Sequence, residues 1–143
     1  MGTGIREFSS AQELLRFIDA QLTDLRKTLG DLLRVIEELR AKSELDKRIR
    51  ELLLRLSKQG AGESSAESRP EIVKLGESLE LVINPSPSVE LRYLEDLAET
   101  INRKIAKLQA ARKGVEQLAE IGLEAKLDVI LVDDVPTTVF IKF

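Results

Sequence analysis

A strict heptad pattern of apolar residues in the first third of the chain is its strongest constraint on folding. Eight apolar side chains recur at steps of 3, 4, 3, 4, 3, 4 and 3, and they are Leu15, Ile18, Leu22, Leu25, Leu29, Leu32, Ile36 and Leu39. This spacing places them in one narrow stripe along a helix, which suits a partner helix better than a globular core. The pattern therefore predicts a long helix whose apolar seam packs against another helix.

This first helix is predicted over residues 9–58. Ser9 and Ser10, each followed three residues later by Gln or Glu, form overlapping capping boxes at its start. After Leu39 the apolar pattern loses its phase, and two alternatives remain open. Either the helix continues and overwinds locally, or it breaks and Ser43 caps a second helix. We expect the continuous helix, because the segment around the phase change contains neither glycine nor proline.

The middle of the chain changes character twice. Residues 59–69 are rich in glycine and serine, which predicts a flexible linker. Residues 71–83 alternate apolar and polar side chains, which is typical of extended chain and strand, with Gly76 at a bulge or at a turn between two short strands. Pro85 and Pro87 end this segment, since proline serves neither a strand ladder nor a helix interior.

A second helix is predicted over residues 89–121, with Ser88 as its cap. Its seam keeps the heptad rhythm through Leu94, Ile101, Ile105, Leu108 and Val115. Arg112 interrupts this seam, and we expect it either to extend to the edge or to pair with an acid across the seam and so set the register. Two such seams suit an antiparallel helix pair or a dimer of such pairs.

The chain ends in a predicted β-hairpin over residues 124–143, because two runs rich in β-branched and aromatic residues flank a turn signal. Left as an uncovered edge, the last strand would promote aggregation. We therefore expect the hairpin to lie on the second helix, to pair with residues 71–83 of the same or a neighbouring subunit, or both. Residues 1–8 are predicted to form only a short arm.

Together these elements predict an α+β fold. It consists of two long heptad-patterned helices, antiparallel and coiled-coil-like, with a small antiparallel β-sheet that includes the C-terminal hairpin. We expect one elongated domain over residues 1–143. A helix of about 33 residues separates the strands before and after it by about 50 Å, so the β segments pair within one chain only if residues 71–83 run back along that helix.

Composition restricts the possible functions. The chain contains no histidine and no cysteine, which removes the commonest general base, transition-metal ligands and thiol nucleophiles. Its net charge of −3 favours neither nucleic acid nor an anionic membrane, and no apolar run approaches the 18 or so residues of a membrane span. We therefore expect a cytoplasmic protein without catalytic residues, cofactor or metal, whose Glu, Lys and Arg content resembles that of thermophile proteins.

Three features of the sequence contain side chains that are able to bind a ligand. Asp133 and Asp134, with Asp128 nearby, have the oxygen ligands of a Mg²⁺ or Ca²⁺ site, but aspartates that form a turn are the favoured interpretation. Tyr93 is expected to anchor the second helix against a sheet. The basic stretch of residues 103–113 is able to contact phosphates, but without an aromatic platform nucleic acid is not favoured as a partner.

Long helices joined by a segment with β character loosely resemble the architecture of the prefoldin family of chaperones, over the first helix, residues 70–83 and the second helix. That family has helix where this chain ends in a hairpin. We expect a non-enzymatic coiled-coil protein that associates with itself, as a homodimer or higher oligomer, and acts as a scaffold, adaptor or chaperone-like subunit. The alternative is an accessory subunit of a nucleic-acid-processing or membrane-associated complex, whose coiled coil another protein completes.

Overall fold

The computed structural model describes residues 2–57, 71–122 and 124–143, and within them the chain forms two long α-helices and five short β-strands. In chain order these are β1 (Gly4–Phe8), α1 (Ala11–Ser57), β2 (Glu71–Leu75), β3 (Leu79–Ile83), α2 (Pro87–Ile121), β4 (Lys126–Val132) and β5 (Val135–Lys142). The predicted α+β class, with two long helices and small antiparallel sheets, is confirmed. The linker predicted over residues 59–69 lies outside the described residues.

Contacts divide the chain into two compact units. Unit 1 consists of Met1–Asp31 and Ala98–Phe143, and unit 2 consists of Leu32–Leu97. In unit 1, Asp19 of α1 contacts Arg112 of α2. Arg26, which follows Asp19 in α1, lines one groove with Ala106, which precedes Arg112 in α2. The two helices therefore run antiparallel in this unit, as predicted.

Helix α1 is unbroken over Ala11–Ser57, so the continuous alternative is correct. Its N-terminus is capped much as predicted. Ser10 Oγ accepts a hydrogen bond from the backbone N–H of Glu13 at 3.2 Å, and the Glu13 carboxylate accepts one from the backbone N–H of Ser9 at 2.9 Å. This reciprocal exchange satisfies backbone donors that the first helical turn leaves without partners.

Helix α2 begins two residues earlier than predicted. Its cap is Ser86, whose Oγ accepts a hydrogen bond from the backbone N–H of Val89 at 3.3 Å. Pro87 fits the first helical position, where no N–H is needed and its fixed φ suits the helix. The prediction that Ser88 is the cap was therefore wrong. Ser88 Oγ instead lies 2.7 Å from Ser43 Oγ of α1. This contact gives the buried Ser43 hydroxyl a hydrogen-bond partner.

Unit 1 contains a three-stranded antiparallel sheet in the order β1–β4–β5. Residues 4–8, predicted as part of an arm, pair with β4 from Gly4 opposite Leu131 to Phe8 opposite Leu127. The arm prediction is wrong, and so is pairing of the C-terminal hairpin with residues 71–83 within the chain. The hairpin is instead completed by the N-terminal strand, which makes β4 the central strand.

A two-residue turn joins β4 to β5. Asp133 and Asp134 both have positive φ, 53° and 64°, as type I′ hairpin turns require. The backbone N–H of Asp133 donates to Thr3 Oγ1 at 3.0 Å, and that of Asp134 donates to the carbonyl of Gly2 at 2.5 Å. The turn-forming role of the two aspartates is confirmed, and the N-terminal residues hold the turn in place.

Unit 1 holds most of the hydrophobic core. Fifteen apolar side chains there are buried, namely Phe8, Ala11, Leu14, Ile18, Leu22, Ala98, Ile101, Ile105, Leu108, Val115, Ala125, Leu127, Val129, Leu131 and Val135. Along β4, buried Leu127, Val129 and Leu131 alternate with more exposed residues, so one face of the sheet packs on the helices. The rings of Phe8 and Phe17 have their centroids 5.5 Å apart, which joins the sheet to α1.

Unit 2 contains the remainder of α1, the start of α2 and a two-stranded sheet formed by β2 and β3. Gly76 has φ of 74° in the turn between these strands, so the turn alternative for Gly76 is correct. Among the described residues of this unit, only the apolar side chains of Ile36 and Leu39 are buried. The described part of unit 2 therefore has a far smaller core than unit 1.

Candidate interaction surface

The residues predicted to form the helical seams are mostly covered within the chain. Eight of them are buried: Ile18, Leu22, Ile36, Leu39, Ile101, Ile105, Leu108 and Val115. Five are half-buried: Leu15, Leu25, Leu29, Leu32 and Leu94. The seams thus contribute to packing inside one copy, and a further role between chains stays a prediction.

Arg112 pairs with an acid on the other helix, as one of its two predicted alternatives required. Its Nε lies 2.6 Å from Asp19 Oδ1, and its guanidinium also contacts Glu116 one turn along α2. The hydrogen bond from Arg112 lowers the pKa of the Asp19 carboxyl, because it favours the charged form. The same bond raises the pKa of Arg112.

This ion pair predicts a pH dependence. Because the pKa of Asp19 is lowered in the folded chain, the pair stabilises the fold above the ordinary pKa near 3.8, and this contribution is lost as the pH falls through the folded value. Both side chains are partly exposed, so we expect a small effect on stability. Carboxyl NMR titration should show a lowered pKa for Asp19 that returns toward 3.8 in Arg112→Gln. Lys107→Gln, which removes a charge of the same sign elsewhere on α2, should leave the pKa of Asp19 lowered. Equal behaviour of the two variants would contradict the assignment.

Tyr93 anchors α2 to the β2–β3 hairpin, as predicted. Its hydroxyl donates a hydrogen bond to the Glu80 carboxylate of β3 at 3.1 Å, and this bond raises the pKa of the tyrosine. Tyr93 also lines an apolar groove of about 520 Å³ together with Val82 of β3 and Leu39 of α1. The face of the hairpin that carries Glu80 and Val82 is therefore turned toward the helices.

The opposite face of the hairpin is apolar and uncovered. In the β2–β3 register, Val73 pairs with Leu81 and Leu75 pairs with Leu79, and paired residues share one face. With Ile83 they form five apolar side chains on the side away from Glu80 and Val82. These five, called the hairpin face below, are between 38% and 61% exposed.

A second uncovered surface lies on the last turns of α1. Five apolar side chains there are 47–62% exposed and are called the helix stripe below: Leu45, Ile49, Leu52, Leu53 and Leu56. The cause lies in the pairing of the helices. Ser43 already lies opposite Ser88, which is the second residue of α2, so the later turns of α1 extend beyond the start of α2.

The charged clusters offer no comparable site. Asp128 pairs with Lys142 at 2.8 Å, and Asp133 pairs with Lys104 at 3.3 Å. Within the described ranges no three His, Cys, Asp or Glu residues gather as metal ligands, and no helix there is long and apolar enough to cross a bilayer. In the basic stretch of α2, Arg103 pairs with Glu99 at 2.9 Å, so acids partly neutralise it.

Comparison of the chain with protein-family models, with curated proteins and with solved structures gives no match. We therefore infer function from the surfaces of this chain itself. On α1 the predicted interface residues ended at Leu39, so the helix stripe was not among them. The available signal was the apolar run between Leu45 and Leu56, which continues after the change of phase.

Proposed function

We propose that this chain is a non-enzymatic protein that associates with itself through unit 2 and acts as a scaffold, adaptor or chaperone-like subunit. The observation that carries the proposal is the imbalance between the two units. Unit 1 buries fifteen apolar side chains, whereas the described part of unit 2 buries two and leaves sixteen large apolar side chains exposed.

The size of the uncovered surface suits a specific interface. The hairpin face and the helix stripe together contain ten apolar side chains that are roughly half exposed. They present on the order of 900 Å² per copy, which is about one partner's share of a standard protein–protein interface. Exposed apolar surface of this extent typically marks a protein interaction site.

Support for a non-enzymatic role comes from the residues available. The sequence contains neither histidine nor cysteine, the commonest general base and the most reactive nucleophile. A groove of about 790 Å³ in unit 1 has Arg112 at its wall, and this side chain is already bound to Asp19 and Glu116. A binding and assembly role therefore fits better than catalysis.

Sedimentation equilibrium at micromolar concentration tests the proposal. We expect a multiple of the 16.0 kDa chain mass for the unmodified protein. The double variant Leu52→Asp/Leu81→Asp should sediment as a monomer, because it places a charge in each uncovered surface. Ile121→Asp, at an apolar position of unit 1 that is 65% exposed, is the control and should leave the mass unchanged.

A 16.0 kDa species alone, up to the highest concentration measured, would contradict self-association. It would favour the alternative in which the same surface is covered by a different protein, so that the chain is an accessory subunit of a hetero-complex. Circular dichroism of each variant separates loss of association from loss of folding.

A further inference from the structure

We propose that the helix stripe of one copy packs on the hairpin face of a second copy, and that the reverse contact forms at the same time. The result is a closed dimer in which each copy provides its helix and receives its partner's helix. This inference rests on the proposed function and specifies which surfaces meet.

A helix on the hairpin face would add a second covering layer to the β2–β3 hairpin. A two-stranded hairpin is only marginally stable by itself, and packing against helices stabilises it. Its own helices contact the other face, through the Tyr93–Glu80 hydrogen bond and through Val82. Within the described chain the hairpin face remains exposed, including Leu79 at 61%. An apolar helix is the kind of element that it lacks.

The helix stripe has matching dimensions. From Leu45 to Leu56 it spans twelve residues, about 17 Å along a helix axis. Each hairpin strand has five residues, about 16 Å of extended chain. The two surfaces therefore have nearly the same length, and one helix stripe is able to cover one hairpin face from end to end.

The charges around the two surfaces are complementary. Lys74 and Glu80 pair in the ladder on the opposite face and cancel, so Glu71, opposite Ile83, and Glu77 in the turn give the hairpin face a net charge of −2. Residues 45–56 contain four basic and two acidic residues, for a net charge of +2, although Asp46 and Arg50 already pair with each other at 3.1 Å. Opposite charge at the rims of an interface favours this pairing over contacts between two like surfaces.

Pairing of two helix stripes with each other is less favourable. Arg48 and Arg55 are seven residues apart and occupy the same flanking position of the stripe. In an antiparallel pair of stripes, Arg48 of one copy would lie near Arg55 of the other, which is repulsive. That arrangement would also leave both hairpin faces exposed. The reciprocal contact covers both surfaces of both copies with one two-fold axis, the commonest symmetry of homo-oligomers.

Chemical cross-linking between copies tests this pairing, and the absence of natural cysteine removes any background. A size-tagged Leu52→Cys chain is mixed with an untagged Leu81→Cys chain, and a short thiol-specific cross-linker is added. Both positions are exposed, at 57% and 43%, so the substitutions should not disturb folding. We expect the tagged–untagged product to exceed, by roughly tenfold or more, the one formed when Leu33→Cys replaces Leu52→Cys, since contact raises the effective thiol concentration.

The outcomes separate this inference from the proposed function. A dominant tagged–untagged product, with a mass of two chains in sedimentation, supports the reciprocal dimer. Dominant links between two Leu52→Cys chains would overturn the pairing while leaving self-association intact. Assemblies larger than two chains would overturn the closed arrangement. A monomer throughout would overturn both the inference and the proposed function, and would mean that a different partner covers these surfaces.

Discussion

Replacing Leu108 with aspartate should unfold unit 1. Leu108 is fully buried in α2, so a carboxylate there is removed from water. The cations one turn away, Lys104 and Arg112, already pair with Asp133 and Asp19. Burying an unpaired charge costs several kcal/mol even when the group becomes protonated, a large share of the 5–15 kcal/mol that stabilises a typical domain. The milder change Leu108→Ala should lower the free energy of unfolding by about 2–5 kcal/mol, because it leaves a cavity.

Leu97 provides the matched control, since it is a leucine of the same helix that is 47% exposed. Leu97→Asp should change the free energy of unfolding by no more than about 0.5 kcal/mol. Urea unfolding followed by circular dichroism measures each variant. If Leu97→Asp proves as damaging as Leu108→Asp, the core of unit 1 is not where the structure places it.

The two long helices followed from sequence because a heptad pattern is local information. Residues three and four apart share a helix face whatever the rest of the chain does. The exact face was less predictable. The seam list includes Leu15, which is half-buried, whereas its neighbour Leu14 is fully buried. The predicted seam assumed that α1 packs on one partner helix alone. In unit 1 the sheet also packs on the helices, so the buried face of α1 is wider than the seam.

Strand β1 was not predictable for a related reason. Its five residues show only weak alternation, with Ile5 73% exposed and Phe8 buried. Its ladder partner is β4, more than a hundred residues later in the chain. Pairing at such sequence separation leaves little trace in a short segment, because context decides strand formation more than intrinsic preference does.

The helix stripe shows the same limit at the level of function. The apolar pattern between Leu45 and Leu56 is visible in sequence, but its exposure depends on where α2 begins relative to α1. That relation is fixed by the cap at Ser86 and by the Ser43–Ser88 contact, neither of which the pattern specifies. The sequence predicted self-association through the seams, whereas most of the exposed large apolar side chains of the described residues lie in unit 2.

Phe8→Ala should be the most destabilising truncation in the sheet of unit 1. Phe8 is 1% exposed, its ring contacts that of Phe17, and the Arg6 guanidinium carbon lies 5.2 Å from its ring centroid. Losing these contacts should lower the free energy of unfolding by about 3–5 kcal/mol. Phe143, which is 94% exposed, is the control, and Phe143→Ala should cost no more than about 0.5 kcal/mol.

Amide hydrogen exchange gives a second, local measurement of the Phe8→Ala variant. Phe8 pairs with Leu127, so loosening β1 should speed exchange of those β4 amides that bond to it. Exchange in the β2–β3 hairpin should stay as it is in the unmodified protein, because that sheet belongs to unit 2. Unchanged exchange in β4 together with unchanged stability would show that residues 1–8 are the short arm predicted from the sequence, and that β4 is an edge strand.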